Sequence, residues 1–192
     1  MDLLKAIETR RAYRAIGPEP VGREILSRLA AAAHSAPSSM NNQPWRMITV
    51  TEPEPLAALR ASFTSGNYWA LKAPAVTAFV TSADWGLRMP DGRELAWFEL
   101  GMAAMAYQLQ AVHEGLVAHP IVGFDAKAAT AALGLPPEAT LVILVVVGKP
   151  GDAAGLSEKH LEGERGPRIR KPLDLVAAFD AWNDKLLPPA KG

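Results

Sequence analysis

Cysteine is absent from the chain, which excludes disulfide bridges, thiolate metal sites and a cysteine nucleophile, and is compatible with a reducing compartment. Net charge is absent too, because 20 Lys and Arg face 20 Asp and Glu. That balance removes the electrostatic footprint of a nucleic-acid binder, so no nucleic-acid partner is expected. The longest uncharged apolar stretch, about 100–112, carries Gln108 and Gln110 and is shorter than the roughly 18 residues a membrane span requires. It reads as a core helix, and no membrane partner is expected. At the N-terminus no basic flank precedes an apolar run, so no signal peptide is visible and a cytoplasmic location is the default expectation.

Catalytic signatures are missing in the same way. No G-x-G-x-x-G follows a strand and no G-x-x-x-x-G-K-S/T occurs, which supports neither a Rossmann dinucleotide site nor a phosphate loop of the Walker type. His34, His113, His119 and His160 form no i, i+4 pair, so no metal site is expected. Ser38 and Ser39 lack the G-x-S-x-G elbow of a hydrolase nucleophile. What is left is a set of anion-binding and hydrogen-bonding pieces without an evident acid, base or nucleophile. Such a set suits a protein whose chemistry belongs to a bound cofactor.

The 192 residues show no shift of composition along the chain and are read as a single domain over 1–192 with one well-buried core. The segment most unlike its surroundings is 36–46, Ala-Pro-Ser-Ser-Met-Asn-Asn-Gln-Pro-Trp-Arg, between an Ala-rich helix and an apolar strand. Two prolines restrict φ there, while two serines, two asparagines and a glutamine offer donors and acceptors. A helix-to-strand connection needs only about 2–6 residues. This longer one reads either as a functional polar rim or as an Asx or Ser turn anchored by a buried Trp45.

Arg10, Arg11 and Arg14 follow a short N-terminal helix capped by Asp2. They suit the dipole at a helix C-terminus, or a phosphate gripped by guanidinium forks. Helices are expected over 24–34 and from Pro53, strands over 45–50, 75–81 and 141–147, and a long helix over 93–115 that is apolar nearly all round. Such a helix is buried by its own core or by a partner chain, and Gly101, Ala103, Ala104 and Ala106 would let a partner helix approach closely. Residues 119–125 read as a loop in which Asp125 caps a helix over 126–133. Two amides ahead of that helix, one at Gly123, form a donor site for a partly negative ligand atom. Residues 151–166 read as a looser tail, Arg168, Arg170 and Lys171 as a second basic cluster, and 173–187 as a last amphipathic helix.

Four pieces recur in a known order. Thr9-Arg10-Arg11-Ala12-Tyr13-Arg14, then Ala36-Pro37-Ser38-Ser39 with Asn41 and Gln43-Pro44-Trp45, then His119-Pro120-Ile121-Val122-Gly123-Phe124, then Arg168-Ile169-Arg170-Lys171-Pro172-Leu173 together resemble the FMN-dependent nitroreductase family. The resemblance covers almost the whole chain. It implies an α+β fold, with a central mostly antiparallel sheet sandwiched by helices, assembled as an intertwined homodimer with FMN sites at the interface. By position it implies that Arg10, Arg11 and Arg14 hold the FMN phosphate and the polar flavin edge, with Arg168 and Arg170 closing on the phosphate side. Pro37, Ser38, Ser39 and Asn41 would line the flavin from the other subunit, and Asn67 would lie near the ring or the substrate. The amides of Val122 and Gly123 would face the flavin's N5 and O4 edge, in a loop entered through Ile121 and shaped by Pro120. Ala12 stands where the family commonly has serine, at a cost of about 1 kcal/mol for a lost hydrogen bond.

The activity this implies is that of an FMN-dependent NAD(P)H oxidoreductase working by a ping-pong mechanism, with a nitroaromatic, quinone or activated alkene as the small-molecule acceptor. The missing Rossmann motif agrees, because NAD(P)H would be a visiting substrate rather than a held cofactor. Two rivals stay open: a flavin-fragmenting or dehalogenating relative, and a non-catalytic flavin-binding or sensor protein.

Overall fold

Two runs rich in Val, Ala, Leu and Ile lie side by side at the centre of the molecule. The computed structural model describes residues 2–189. Its strands are β1 (Arg46–Val50), β2 (Ala75–Thr81), β3 (Val117–Ile121) and β4 (Thr140–Gly148), and its helices α1 (Leu3–Thr9), α2 (Arg23–His34), α3 (Pro53–Arg60), α4 (Ala96–His113), α5 (Ala126–Ala132) and α6 (Glu158–Arg165). The strands make a four-stranded antiparallel sheet in the order β1-β2-β4-β3. Strand side chains alternate between faces. Val76, Ala78, Val80, Leu144 and Val146 therefore join one core, while Ala75, Phe79, Val145 and Val147 join another. α3, α5 and Trp69 cover the first face, and α2 and α4 the second, so the central strands are buried on both sides.

Local chemistry explains two of the helix starts. Pro53 opens α3 at a position where its missing N–H is no loss, and Asp125 Oδ1 accepts the Ala128 amide at 2.9 Å to cap α5. Ala33, Ala103, Ala104 and Ala111 let α2 and α4 pack closely. Against that side of α4, Trp97, Phe98 and Met105 are exposed, Phe98 at 68%. The long helix is thus buried by its own core on one side and open on the other. No helix of the described residues is long and apolar enough to cross a membrane.

Three expectations need correction. Residues 117–121 form a strand rather than the start of a loop; Pro120 is tolerated because β3 is an edge of the sheet, where a missing N–H is harmless. The supposed loose tail contains α6, which carries no buried residue and is held by polar contacts, so hydrophobic periodicity does not reveal it. The amphipathic helix expected over 173–187 is absent: only the 3-10 turns Leu173–Leu175 and Asp184–Leu186 form. Helicity of such a segment depends on a surface to bury its apolar face, and within one chain that face is open, with Phe179 93% exposed.

One buried polar chain crosses the second core. Thr49 Oγ1 lies 2.8 Å from Thr77 Oγ1, which lies 2.7 Å from Tyr107 Oη. Burial pushes the Tyr107 phenol up to about 12, so it stays a neutral hydrogen-bonding group. Tyr107→Phe is expected to lower stability by about 1 kcal/mol in denaturant unfolding, the usual net worth of such a bond.

Candidate functional site

Beyond α1 the chain runs extended from Arg10 to Ile16, against residues 149–151 on one side and α6 on the other. Gly17 N donates to Lys149 O and Gly151 N to Ala15 O, both at 2.8 Å. Glu164 of α6 accepts the amides of Arg14 and Ala15. Arg11 donates to the carbonyls of Gly163 at 2.8 Å and Gly166 at 2.7 Å, which closes the C-terminal end of α6. Arg168 does the same for α1, reaching Ile7 O at 2.8 Å and Glu8 O at 3.0 Å.

These contacts fold the two basic clusters onto each other. Arg10, Arg11, Ala12, Pro167, Arg168 and Arg170 line a cavity of about 220 Å³. The Arg10 guanidinium is held below its ordinary value by partial burial and then by the charges of Arg168 and Arg170. Among the described residues no carboxylate pairs with Arg10, Arg168 or Arg170. Like charges gathered without a counterion mark a place for an anion. Arg14 is not part of this cavity; its guanidinium lies 5.9 Å from the Trp69 ring centre.

A second group forms at the end of β3. Ile121 turns into the core, and Val122 is 76% exposed. Gly123 O accepts three donors: Thr64 N and Thr64 Oγ1 at 2.9 Å and Asn67 Nδ2 at 2.8 Å. Val122 O accepts the Phe124 amide at 3.1 Å. The loop is therefore fixed through its carbonyls, and among the described residues the amides of Val122 and Gly123 have no protein acceptor. A side chain on Gly123 would sit 2.7 Å from both Asn67 Nδ2 and Thr64 Oγ1, so it would push aside the two side chains that hold the loop. Asn67 holds this loop through its amide nitrogen. Thr64→Val and Asn67→Ala are each expected to lose about 1 kcal/mol in chemical unfolding, with faster exchange in hydrogen-exchange NMR of the Thr64 amide, which donates to Gly123 O.

Two histidines to which the sequence assigns no role brace these groups. His119 on β3 is buried beneath Trp69, with ring centres 4.4 Å apart, and its Nδ1 lies 2.9 Å from Tyr13 O. Burial, the largest cause, and the charge of Arg14 lower it to about 4, so it is neutral near pH 7 and its Nδ1–H donates to Tyr13. It thereby ties the arginine segment to the strand that leads to Gly123. His160 on α6 stacks on Tyr68, whose Oη lies 3.1 Å from Nδ1 and accepts the Ser157 amide at 2.7 Å. Sequence reasoning misses both roles, because each depends on a partner distant along the chain.

The Pro37-Ser38-Ser39 loop forms a third group. Met40, Asn41 and Gln43 all have positive φ, at 52°, 58° and 48°. Ser38 Oγ accepts the Gln43 amide at 2.9 Å, Gln43 Nε2 donates to Asn41 O at 2.9 Å, and Trp45 is buried as the anchor. Pro37, Ser38, Ser39 and Asn41 do not line the arginine cavity. Within one chain, the residues expected to surround one ligand fall into separate groups.

Residues 7–149 match the model of the nitroreductase family. The chain belongs to the nitroreductase family. This nitroreductase-family chain is 28% identical to an NADH dehydrogenase of Thermus thermophilus, over 93% of this chain and 96% of that protein. It is 30% identical to the FMN reductase [NAD(P)H] of Bacillus subtilis, over 92% of this chain and 68% of that one. Its fold is similar to a solved oxidoreductase containing FMN, with a TM-score of 0.84 and 25% identity over 95% of this chain and 93% of the other. In this family member Arg168 and Arg170 lie beyond the matched segment and still return to Arg10.

Proposed function

We propose that this chain is an FMN-dependent NAD(P)H oxidoreductase acting on an electron-poor acceptor such as a nitroaromatic, quinone or activated alkene. The observation that carries the reading is the meeting of Arg10, Arg168 and Arg170, from both ends of the chain, with no carboxylate among them. These residues fit a phosphate, and Arg11 holds the adjoining wall in place. The unused amides of Val122 and Gly123 fit the polar edge of a flavin ring, where reduction adds negative charge that fixed donors stabilise. When bound, FMN supplies the two-electron chemistry that joins NAD(P)H oxidation to reduction of the acceptor. The donor and the acceptor use the same open face in turn, in a ping-pong order.

The third wall comes from a second copy. Leu3, Leu4 and Ile7 on α1, Trp97, Phe98 and Met105 on α4, and Phe179 and Trp182 in the C-terminal segment are all exposed. α1 packs against α4, so the helical residues form neighbouring apolar surfaces of the size that interfaces cover. An intertwined homodimer covers them and delivers the partner's Pro37–Asn41 loop to the site. The absence of cysteine suits a cytoplasmic setting.

The test is purification with added FMN, light scattering for the oligomeric state, and anaerobic mixing with NADH and NADPH. The expected result is a yellow dimer whose flavin absorbance bleaches with at least one donor. A colourless monomer, or a flavin that stays oxidised with both donors, overturns the proposal.

A further inference from the structure

The largest unexplained expense in the core is Glu99. It lies on the inner side of α4 at 2% exposure, among Leu100, Ala103 and Tyr107, and no cation pairs with it among the described residues. A carboxylate in such a place is costly unless hydrogen bonds compensate it. Glu99 has one: Oε1 accepts the Ser39 amide at 2.7 Å, while Oε2 is buried with no partner. A leucine would fill the space at lower cost. What the carboxylate adds is a grip on Ser39.

That grip lies where the backbone needs it. Three of the four residues after Ser39, Met40, Asn41 and Gln43, are non-glycine residues with left-handed φ, interrupted by Asn42 at −67°. Such conformations persist only where the surroundings over-determine them, and they gather at functional loops. The bonds between Ser38 Oγ and Gln43 N, and between Gln43 Nε2 and Asn41 O, lie inside the loop and cannot fix it to the framework. Three bonds do: Glu99 Oε1 accepting from the Ser39 amide, the buried Thr81 hydroxyl donating to Pro44 O at 2.5 Å, and Arg46 of β1 donating to Gln43 O at 3.0 Å. Of these, only the Glu99 bond lies on the N-terminal side of the strained residues. Because Glu99 takes a main-chain amide, the hydroxyl of Ser39 and the side chain of Asn41 keep their donors and acceptors for a ligand.

We propose that Glu99 is a positioning residue: by holding the Ser39 amide it sets the shape of the strained 39–43 turn and so the aim of Ser38, Ser39 and Asn41 at a flavin. This rests on the FMN reading above. It acts through the loop, so it has no contact with the reacting atoms.

The test compares Glu99→Leu, which keeps side-chain bulk and loses the acceptor, with Glu99→Gln, which keeps an acceptor oxygen. Each is made in the full chain. Unfolding of the apo protein checks the fold, the Ser39 amide is followed by hydrogen-exchange NMR, and FMN is titrated by fluorescence. Glu99→Leu is expected to fold, to speed Ser39 exchange and to weaken FMN binding about tenfold or more, the effect of losing a buried polar contact. Glu99→Gln is expected to restore slow exchange and most of the affinity. A merely structural role would shift the unfolding midpoint and leave FMN affinity unchanged, so a folded Glu99→Leu protein that binds FMN as the wild type does overturns the proposal. Failure of the wild type itself to bind FMN overturns the flavin reading and the positioning role with it. It is recognised because wild type and variants then fail together.

Discussion

Arg10→Ala is expected to weaken FMN binding about ten- to hundredfold while leaving the apo protein as stable as before, since a hydrogen bond to a charged group is worth roughly 1.5–3 kcal/mol. The reason lies in the charge distribution. Arg10 is partly buried, close to Arg168 and Arg170, and unpaired, and these surroundings disfavour its charged form. A phosphate relieves that repulsion and accepts from the guanidinium at once. Removing Arg10 takes away the attraction in the complex and the repulsion in the empty protein. Arg11→Ala is a different case, because Arg11 holds the carbonyls of Gly163 and Gly166 and its loss loosens α6. Fluorescence titration of FMN at low and high salt separates the two: Arg10→Ala should also flatten the salt dependence. Unchanged affinity in Arg10→Ala would remove the phosphate from this cavity.

The second large effect is on stability against pH. His119 is lowered from its ordinary 6.5 to about 4 in the folded protein, first by burial and also by Arg14. Between those values the unfolded chain binds the proton and the folded one does not. Its contribution is therefore complete above pH 6.5, shrinks as pH falls through the window, and is gone below about 4. A shift of that size corresponds to a loss on the order of 3 kcal/mol. Two other groups titrate differently. His160 is lowered as well, by desolvation and then by Arg14 and Lys159, but it is only partly buried. Glu114, held down to about 2 first by its hydrogen bond from Arg28 and then by Gln110, contributes fully above its ordinary 4.5; that contribution shrinks as pH falls from there and is gone below about 2. His119→Asn retains an amide donor that can serve Tyr13 O and does not titrate. Denaturant unfolding at pH 7 and pH 4 should show a steep loss in the wild type and a shallow one in His119→Asn. Equal losses in the two would assign the pH dependence to other groups.

Elements that bury apolar side chains in a regular pattern are legible in the residues alone. β2 and β4 are nearly unbroken apolar runs, α3 opens at Pro53, and α5 starts at the capping Asp125. β3 is hidden because Pro120 argues against a strand unless the strand is known to be an edge. α6 is hidden because Leu161 is its single apolar side chain on the core and the rest of its hold is polar, through Glu164, Arg11 and Tyr68. The apolar residues of 173–187 suggest a helix, but they have no surface within the chain to rest on.

The site divides along the same line. Its residue types, arginines near both ends and a polar proline-serine loop in between, can be named from the residues and their resemblance to a family. Whether Arg10 meets Arg170, which amides remain without acceptors, and what holds Ser39 cannot. The sequence by itself determined which strands and helices build the core, because side-chain transfer from water is a local property written in apolar runs and periodicity; the antiparallel pairing of the strands was implied only by the resemblance to a family. Only the tertiary structure decided that two basic clusters share one cavity and that Glu99 and His119 hold its neighbouring segments. Hydrogen bonds and charges act over a few ångströms between atoms that the chain separates by scores of residues, so their pairing exists only once the fold has closed.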